Sequence, residues 1–495
     1  METARRTQPD APGRVARARS QSLLGGDRDD ADGSIRRALD AALAVTHSPV
    51  GFVGLVDESG ETQLVWKRAE AGADISSDAM RQLALRVLEG DVPAIQSPPF
   101  TASAFETVDT MPYASGGRFP AYAPDEIRPY EVFVESGLMH DTNVTRSNAG
   151  NEYDNIFRFG GGGRIDQRVY GRQMIRLEAR GDLYHYDTFS DLDHFAYAGA
   201  ATWLWELGND FTGTVGYART HRLASLAEVQ RAIKRMVTTD DLFATGAYRL
   251  GPSFRARGGF AYGRGVRDTP GEEKTTFGTR TVTAGLDYVT PLGNALGIEH
   301  RRSRGDAPLS ASIDASGQFQ SNDYEERETV LVATYTSNAS LRFTGRYGHI
   351  ERTYTDLPNN FSGITYRGGV EWLPGNKTIL AFEAYKEPRA VIDIAASHVL
   401  VRGIAVGPAW APTAKLAFSL RWVDEHRVFI AADPNVAPVG TLLDETVRVV
   451  RFGIAWEPQR LVQVGLGLDR GNRESNTLGR NYNYTATMAN VRVIW

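Results

Sequence analysis

The chain has 495 residues, with 55 lysines and arginines against 60 aspartates and glutamates, no cysteine and a formal net charge of −5. Disulfides, thiolate metal sites and thiol chemistry are therefore excluded, and the mild acidity argues against nucleic-acid binding. A hydrophobic content of 42% and a mean hydropathy of −0.33 read as water-soluble, but a membrane barrel reads the same way because only alternate residues meet lipid.

No apolar run approaches the ~18 residues of a spanning helix. Residues 1–33 are Arg, Asp, Gly and Ser with little to bury, and are expected to be a disordered tail. Met1 to Gly26 carries no apolar core of the kind a secretory signal needs. Ile35, Leu39, Ala42 and Leu43 have helical spacing within Ser34 to Val45. Val50 to Val56 reads as a strand, turned at Asp57-Glu58-Ser59-Gly60 into Gln63 to Trp66. Helix plus hairpin resembles the opening of a GAF-type sensor domain over Ser34 to Trp66, without that family's full sheet and ligand pocket. The reading is a small α/β fragment over 34–92, including a short helix at Met80 to Leu88, followed by a Pro/Ala/Ser-rich linker over 93–128. A truncated or fused gene start is favoured over a working sensor.

From Pro129 the pattern changes and holds to the end. Phe254, Ala256, Gly258, Phe260 and Tyr262 alternate with Arg255, Arg257, Gly259, Ala261 and Gly263. A side-chain period of two means a strand with one apolar face and one face of glycine, arginine and hydroxyls. The same alternation sets Leu341, Phe343 and Tyr347 against Arg342, Thr344 and Arg346. Leu416, Phe418, Leu420 and Trp422 likewise oppose Ala417, Ser419 and Arg421. Short turns fall near Asp166-Gln167, Gly208-Asn209, Gly251-Pro252, Gly293-Asn294, Ser337-Asn338, Gly375-Asn376, Pro412-Thr413 and Pro458-Gln459. Their spacing of roughly 40 residues suits two spanning strands plus a longer outer loop, such as His221 to Thr239, Arg304 to Asp323 and Asp424 to Asp444. The expectation is an antiparallel up-and-down transmembrane barrel of about 18 strands over 129–495, both ends on the short-turn side.

A β-sandwich also alternates. Trp203, Trp205, Trp372, Trp410 and Trp456 at strand ends suit interfacial belts instead. The final strand carries Val491, Val493 and Trp495 on one face. It resembles the C-terminal signal by which the outer-membrane barrel assembly machinery recognises its clients, with Trp where Phe is usual. Outer-membrane lipid and that machinery are the partners this implies.

The expected inner face is rich in arginine: Arg176, Arg180, Arg255, Arg257, Arg301, Arg342, Arg346, Arg367, Arg421, Arg451 and Arg492. Glu131, Glu135, Glu178, Asp182, Glu299, Glu371 and Glu457 stand among them. Such a lumen would attract anionic solutes or an acidic polysaccharide, or its charges would pair off and stiffen the barrel. Reversing Arg342 and Arg346 together is expected to change ion selectivity without unfolding. Long loops such as Arg304 to Asp323 could fold inward and close the lumen. Tyr184, Tyr186, Tyr482 and Tyr484 could stack on sugars, although loop or girdle packing is the better reading. Asp141-Thr142-Asn143 could hold a cation, with a local turn favoured. The nine histidines show no His-x-x-x-His or His-Glu-x-x-His grouping and there is no Gly-x-Ser-x-Gly elbow, so no metal, cofactor or enzyme is read here. The run Gly160 to Gly163 lies in a strand pattern and is no phosphate loop.

Val132 to Ser147, "VFVESGLMHDTNVTRS", resembles the first strand and loop of EpsL-type outer-membrane barrels encoded in exopolysaccharide operons. The matching segment is Asp141-Thr142-Asn143-Val144-Thr145-Arg146, with Asp141, Asn143 and Arg146 as its distinctive residues. The resemblance implies a non-enzymatic outer-membrane role in exopolysaccharide synthesis or export, with polymer and export-complex proteins as partners. A general or anion-selective porin and a barrel-embedded hydrolase are the alternatives.

Overall fold

The computed structural model describes a hairpin at residues 50–56 and 62–69 and the stretch 129–495, apart from 149–151, 272–273, 307, 314–318, 322, 338–339, 356–359, 376, 391–395 and 432–442. The expected tail, N-terminal helices and linker lie outside the described residues. The chain divides into two units, Met1–Gly90 and Asp91–Trp495. In the first, β1 (Val50–Val56) and β2 (Thr62–Ala69) pair antiparallel, Val50 against Ala69 and Val56 against Thr62. The hairpin is the expected one, its second strand longer at both ends.

In the second unit, β3 (Tyr130–Asp141), β4 (Asp154–Tyr170), β5 (Gln173–Tyr186), β6 (His194–Leu207), β7 (Phe211–Leu223), β8 (Met236–Leu250) and β9 (Phe254–Asp268) run as a meander. It continues through β10 (Thr275–Val289) and β11 (Ala295–Asp306). A small hairpin of β12 (Pro308–Ile313) and β13 (Phe319–Ser321) interrupts the loop after β11. The meander resumes with β14 (Tyr324–Ser337), β15 (Leu341–Tyr354), β16 (Phe361–Gly375), β17 (Thr378–Ala390) and β18 (Ala396–Thr413). β19 (Leu416–Ala431), β20 (Asp444–Gln459), β21 (Val462–Ser475) and β22 (Tyr482–Ile494) complete it. Each pairs antiparallel with the next, and β22 returns to β3, Ile494 opposite Phe133, to close the sheet. Reciprocal backbone bonds between Val132 and Trp495, 3.1 and 2.8 Å, seal the seam.

The closed ring holds 18 strands, so no backbone edge is left unpaired, the condition hydrocarbon imposes on a sheet. Outward positions carry a continuous apolar belt that includes Val282, Leu286, Ile298, Leu331, Tyr347 and Val491, all exposed. Trp203, Trp372, Trp410 and Trp456 are also exposed at the short-turn end of that belt. Girdle contacts join Trp205 to Phe211 at 4.8 Å and Phe254 to Tyr288 at 5.7 Å between ring centres. Above the belt, outward positions turn polar, as with His349, Glu351 and Thr353 on β15. The chain from Tyr130 is therefore a transmembrane β-barrel of the outer-membrane kind, long loops on the outer side.

Three expected turns are displaced. β4 runs past Asp166-Gln167 to Tyr170, turning at Gly171 with φ +54°, and β18 and β20 run to Thr413 and Gln459. Polar residues there sit on strands that still have ladder partners, and pairing overrides local turn preference. The loops are likewise shorter than expected, because strands climb beyond the belt: residues 224–235 replace His221 to Thr239.

Candidate functional site

Inner-face positions follow the strand parity, and every arginine read as inward stands on that face. Arg176, Arg255, Arg257, Arg342, Arg346, Arg421 and Arg492 lie nearer the short-turn ends of their strands, and Arg180, Arg301, Arg367 and Arg451 near mid-strand. A common geometry recurs: the carboxylate is buried against the wall and its guanidinium reaches toward the lumen. Arg176 is 39% exposed beside Asp166 at 5%; Arg257, 26%, beside Asp287 at 4%; Arg451, 36%, beside Asp469 at 1%. Glycines make room for two of the inward carboxylates, Asp182 and Asp287. A Cβ on Gly160 would come 2.1 Å from Asp182 Oδ1, and one on Gly297 would come 2.1 Å from Asp287 Oδ1. The glycine run in β4 is thus a bed for a side chain from the next strand.

The pairs join into ladders across neighbouring strands. Arg158 bridges Glu135 at 2.5 Å and Asp182 at 3.2 Å, and Arg180 reaches the same two at 3.3 and 2.7 Å. Arg255 and Arg257 hold Asp287, and Arg257 also binds Glu299. Arg346 then links Glu299 to Glu328 at 3.1 and 3.2 Å. Arg301 continues to Glu328 at 2.7 Å and Glu326 at 3.6 Å. Arg367 joins Glu383 and Glu387, and Arg389 and Arg427 share Glu425. Arg492 pairs with Glu131 at 2.9 Å and lies 3.6 Å over the Phe133 ring. Two arginines are set apart. Arg421 approaches Glu383 only to 3.7 Å and is 59% exposed, and Arg342 has no carboxylate within ion-pair distance among the described residues. Glu178 and Glu371 are exposed inward carboxylates.

The outer half of the lumen is different. Inward Arg158, Asp241, Arg352, Glu425, Arg427 and Glu445 are all buried. Inward Val401, Val447 and Val449 are buried too, so the inner face is not polar throughout. A lumen open to water over its whole length would leave these side chains wet.

Part of the filling is the loop 224–235. Ser225 caps its single helical turn, α1 (Leu226–Val229), accepting from the Ala227 N–H, and Gln230 ends it in the left-handed region, φ +53°. From β7 and β8 this loop crosses toward the seam strands: Arg473 Nη1 donates to the Ala227 carbonyl at 3.0 Å. Gln230 Nε2 donates to the carbonyls of Arg146 and Arg480 at 2.9 and 3.2 Å. Leu223 and Ala227 bury against Met139, Ile156, Tyr186, Tyr482 and Tyr484. These tyrosines are packing, as is half-buried Tyr184 against His194 at 4.7 Å between centroids. Arg304 to Asp323, the loop expected to fold inward, lies in part outside the described residues.

The first-loop segment anchors the loop 224–235. Asp141 Oδ1 accepts from the Asn143 N–H and from Arg146 Nη1, both at 2.9 Å, and Asp141 Oδ2 faces Arg146 Nη2 at 2.8 Å. Asn143 donates to the Ser147 and Asn483 carbonyls at 2.9 and 3.0 Å. Arg146 takes φ +54° and stacks 3.6 Å over Tyr484. Burial alone would lower the Arg146 pKa, but the charge and hydrogen bonds of Asp141 outweigh it and hold the guanidinium above its ordinary value. The favoured turn is what forms, and Asp141 is committed to Arg146.

No family model matches the chain, and no curated protein matches it. Among solved structures it is similar to the outer membrane protein OpdK of Pseudomonas aeruginosa, with TM-score 0.43 and 10% identity over 74% of this chain and 99% of that one. OccK2 (OpdF) of the same organism, solved with glucuronate, gives 0.43 and 10% over 74% and 97%. The FrpB iron transporter of Neisseria meningitidis gives 0.41 and 11% over 70% and 62%. At such scores and identities the likeness extends no further than barrel architecture.

Proposed function

We propose that the chain is a non-enzymatic outer-membrane channel for small anionic solutes. The observation that carries this reading is the asymmetry of the inner-face ion pairs: guanidinia meet water while their carboxylates are buried against the wall. Solute entering from the short-turn side meets more exposed guanidinia than exposed carboxylates, of which Glu178 and Glu371 are two, in a cavity with low-dielectric walls that strengthens the field. The filled outer half makes the path narrow, which favours small solutes over a polymer chain.

Planar bilayers holding the full chain in a salt gradient test this. The reversal potential should have the sign of anion preference, and Arg342→Gln with Arg421→Gln should move it toward zero. Cation preference in the unaltered protein would overturn the proposal.

The second reading, service to exopolysaccharide export, rests on the resemblance over Val132 to Ser147. It requires the outer half to open for polymer and would engage export-complex proteins. Block of the conductance by long anionic polysaccharide, but not by short anionic sugars, would favour it.

A further inference from the structure

Outward-facing arginines gather at the outer border of the apolar belt on β10, β11 and β14. Arg302 stands in register with Arg327, and Arg280 with Arg304. Like charges directly opposite across strands repel and weaken a sheet. One carboxylate serves three of the four: Glu325 meets Arg302 at 2.7 Å, Arg327 at 3.0 Å and Arg304 at 3.6 Å. The side chains of Arg302, Arg304 and Arg327 are 50, 66 and 59% exposed, against 24% for Glu325. Exposed Glu351 stands in register with Arg327 and exposed Asp306 lies two residues beyond Arg304, so four guanidinia outnumber three carboxylates and the surplus faces outward. On β19 to β21 the balance is reversed, with Arg448 held between Asp424 and Glu474.

Height decides what the surplus meets. Val282, 57% exposed in the belt, is in register with Arg302. The cluster therefore begins where hydrocarbon ends, on the lipid side of the wall, and the barrel's orientation puts it in the outer leaflet. Exposed guanidinia at that level match phosphate in geometry and charge, taking it by paired N–H···O bonds.

We propose that this patch binds the phosphate groups of an outer-leaflet glycolipid, acyl chains lying along the belt below and phosphate lodged among Arg280, Arg302, Arg304 and Arg327. Glu325 holds the guanidinia in place; the lipid phosphate supplies the missing negative charge.

Native mass spectrometry of the full chain in detergent, titrated with bisphosphorylated lipid A, tests it. The unaltered protein should retain the lipid, and Arg302→Gln with Arg327→Gln should weaken it by about tenfold or more, from two lost charge-assisted contacts. Arg302→Lys with Arg327→Lys should recover part of the binding, and heat-shifted gel migration checks that each variant is folded. Equal retention by the glutamine variant overturns the proposal. So does equal binding of lipid A stripped of its phosphates. Displacement by an equal concentration of inorganic pyrophosphate would make the patch a site for free anions and overturn the lipid assignment.

Discussion

Arg342 and Arg346 are indistinguishable in a single strand, both inward on β15 and four residues apart. The fold separates them. Arg346 bridges buried Glu299 and Glu328, so reversing its charge would set three carboxylates together and weigh on stability, whereas Arg342 carries no such load. Removing a buried ion's partner is the costly event, because the survivor keeps its desolvation penalty. Glu425 is the sharpest case: fully buried, it accepts from Tyr385 and Arg389 at 2.8 Å each and from Arg427 at 2.7 Å. Glu425→Ala should cost about 3–5 kcal/mol, read as a lower denaturant midpoint for the refolded barrel. A midpoint unchanged from the parent would show that the ladder contributes nothing to stability. Inward parity was legible in the sequence; ion-pair partners were not, since they depend on the register of several strands at once.

At the scale of the element, the loop 224–235 decides how the lumen is used. Its length marked it as an outer loop, but its inward fold depends on Arg473, Arg146 and Arg480, which donate to it or accept from it across large sequence distances. No local pattern announces such contacts. Asp141, Asn143 and Arg146, by contrast, stood out as a motif, and what the motif builds is the anchor for that loop. Replacing residues 226–230 with a Gly-Ser segment should raise single-channel conductance several-fold and leave strand content unchanged by circular dichroism. Conductance equal to that of the parent would mean the constriction lies elsewhere.

For the whole molecule, closure is the decisive event. β22 pairs with β3 from Ala486 opposite Asp141 to Ile494 opposite Phe133, so the terminal segment read as an assembly signal is also the last stave. An open seam in hydrocarbon leaves backbone donors and acceptors unsatisfied, at several kcal/mol each. Deleting Val491 to Trp495 should leave no heat-modifiable folded band and no barrel in outer-membrane fractions. A truncated chain that assembles like the parent would remove both roles from this segment.

A period of two and the chemistry of turns were enough to set the strand number, the two faces, the short-turn and long-loop ends, and the aromatic girdle. These are local properties, repeated strand after strand until chance alternation is excluded. The rest required the folded chain: the strands that outrun their turn residues, the glycines that bed carboxylates from neighbouring strands, the guanidinia left facing water, and the loop that helps fill the outer half. Each depends on which residues are brought together across the sheet or the lumen, and energies of that kind are set by partners far away in the chain.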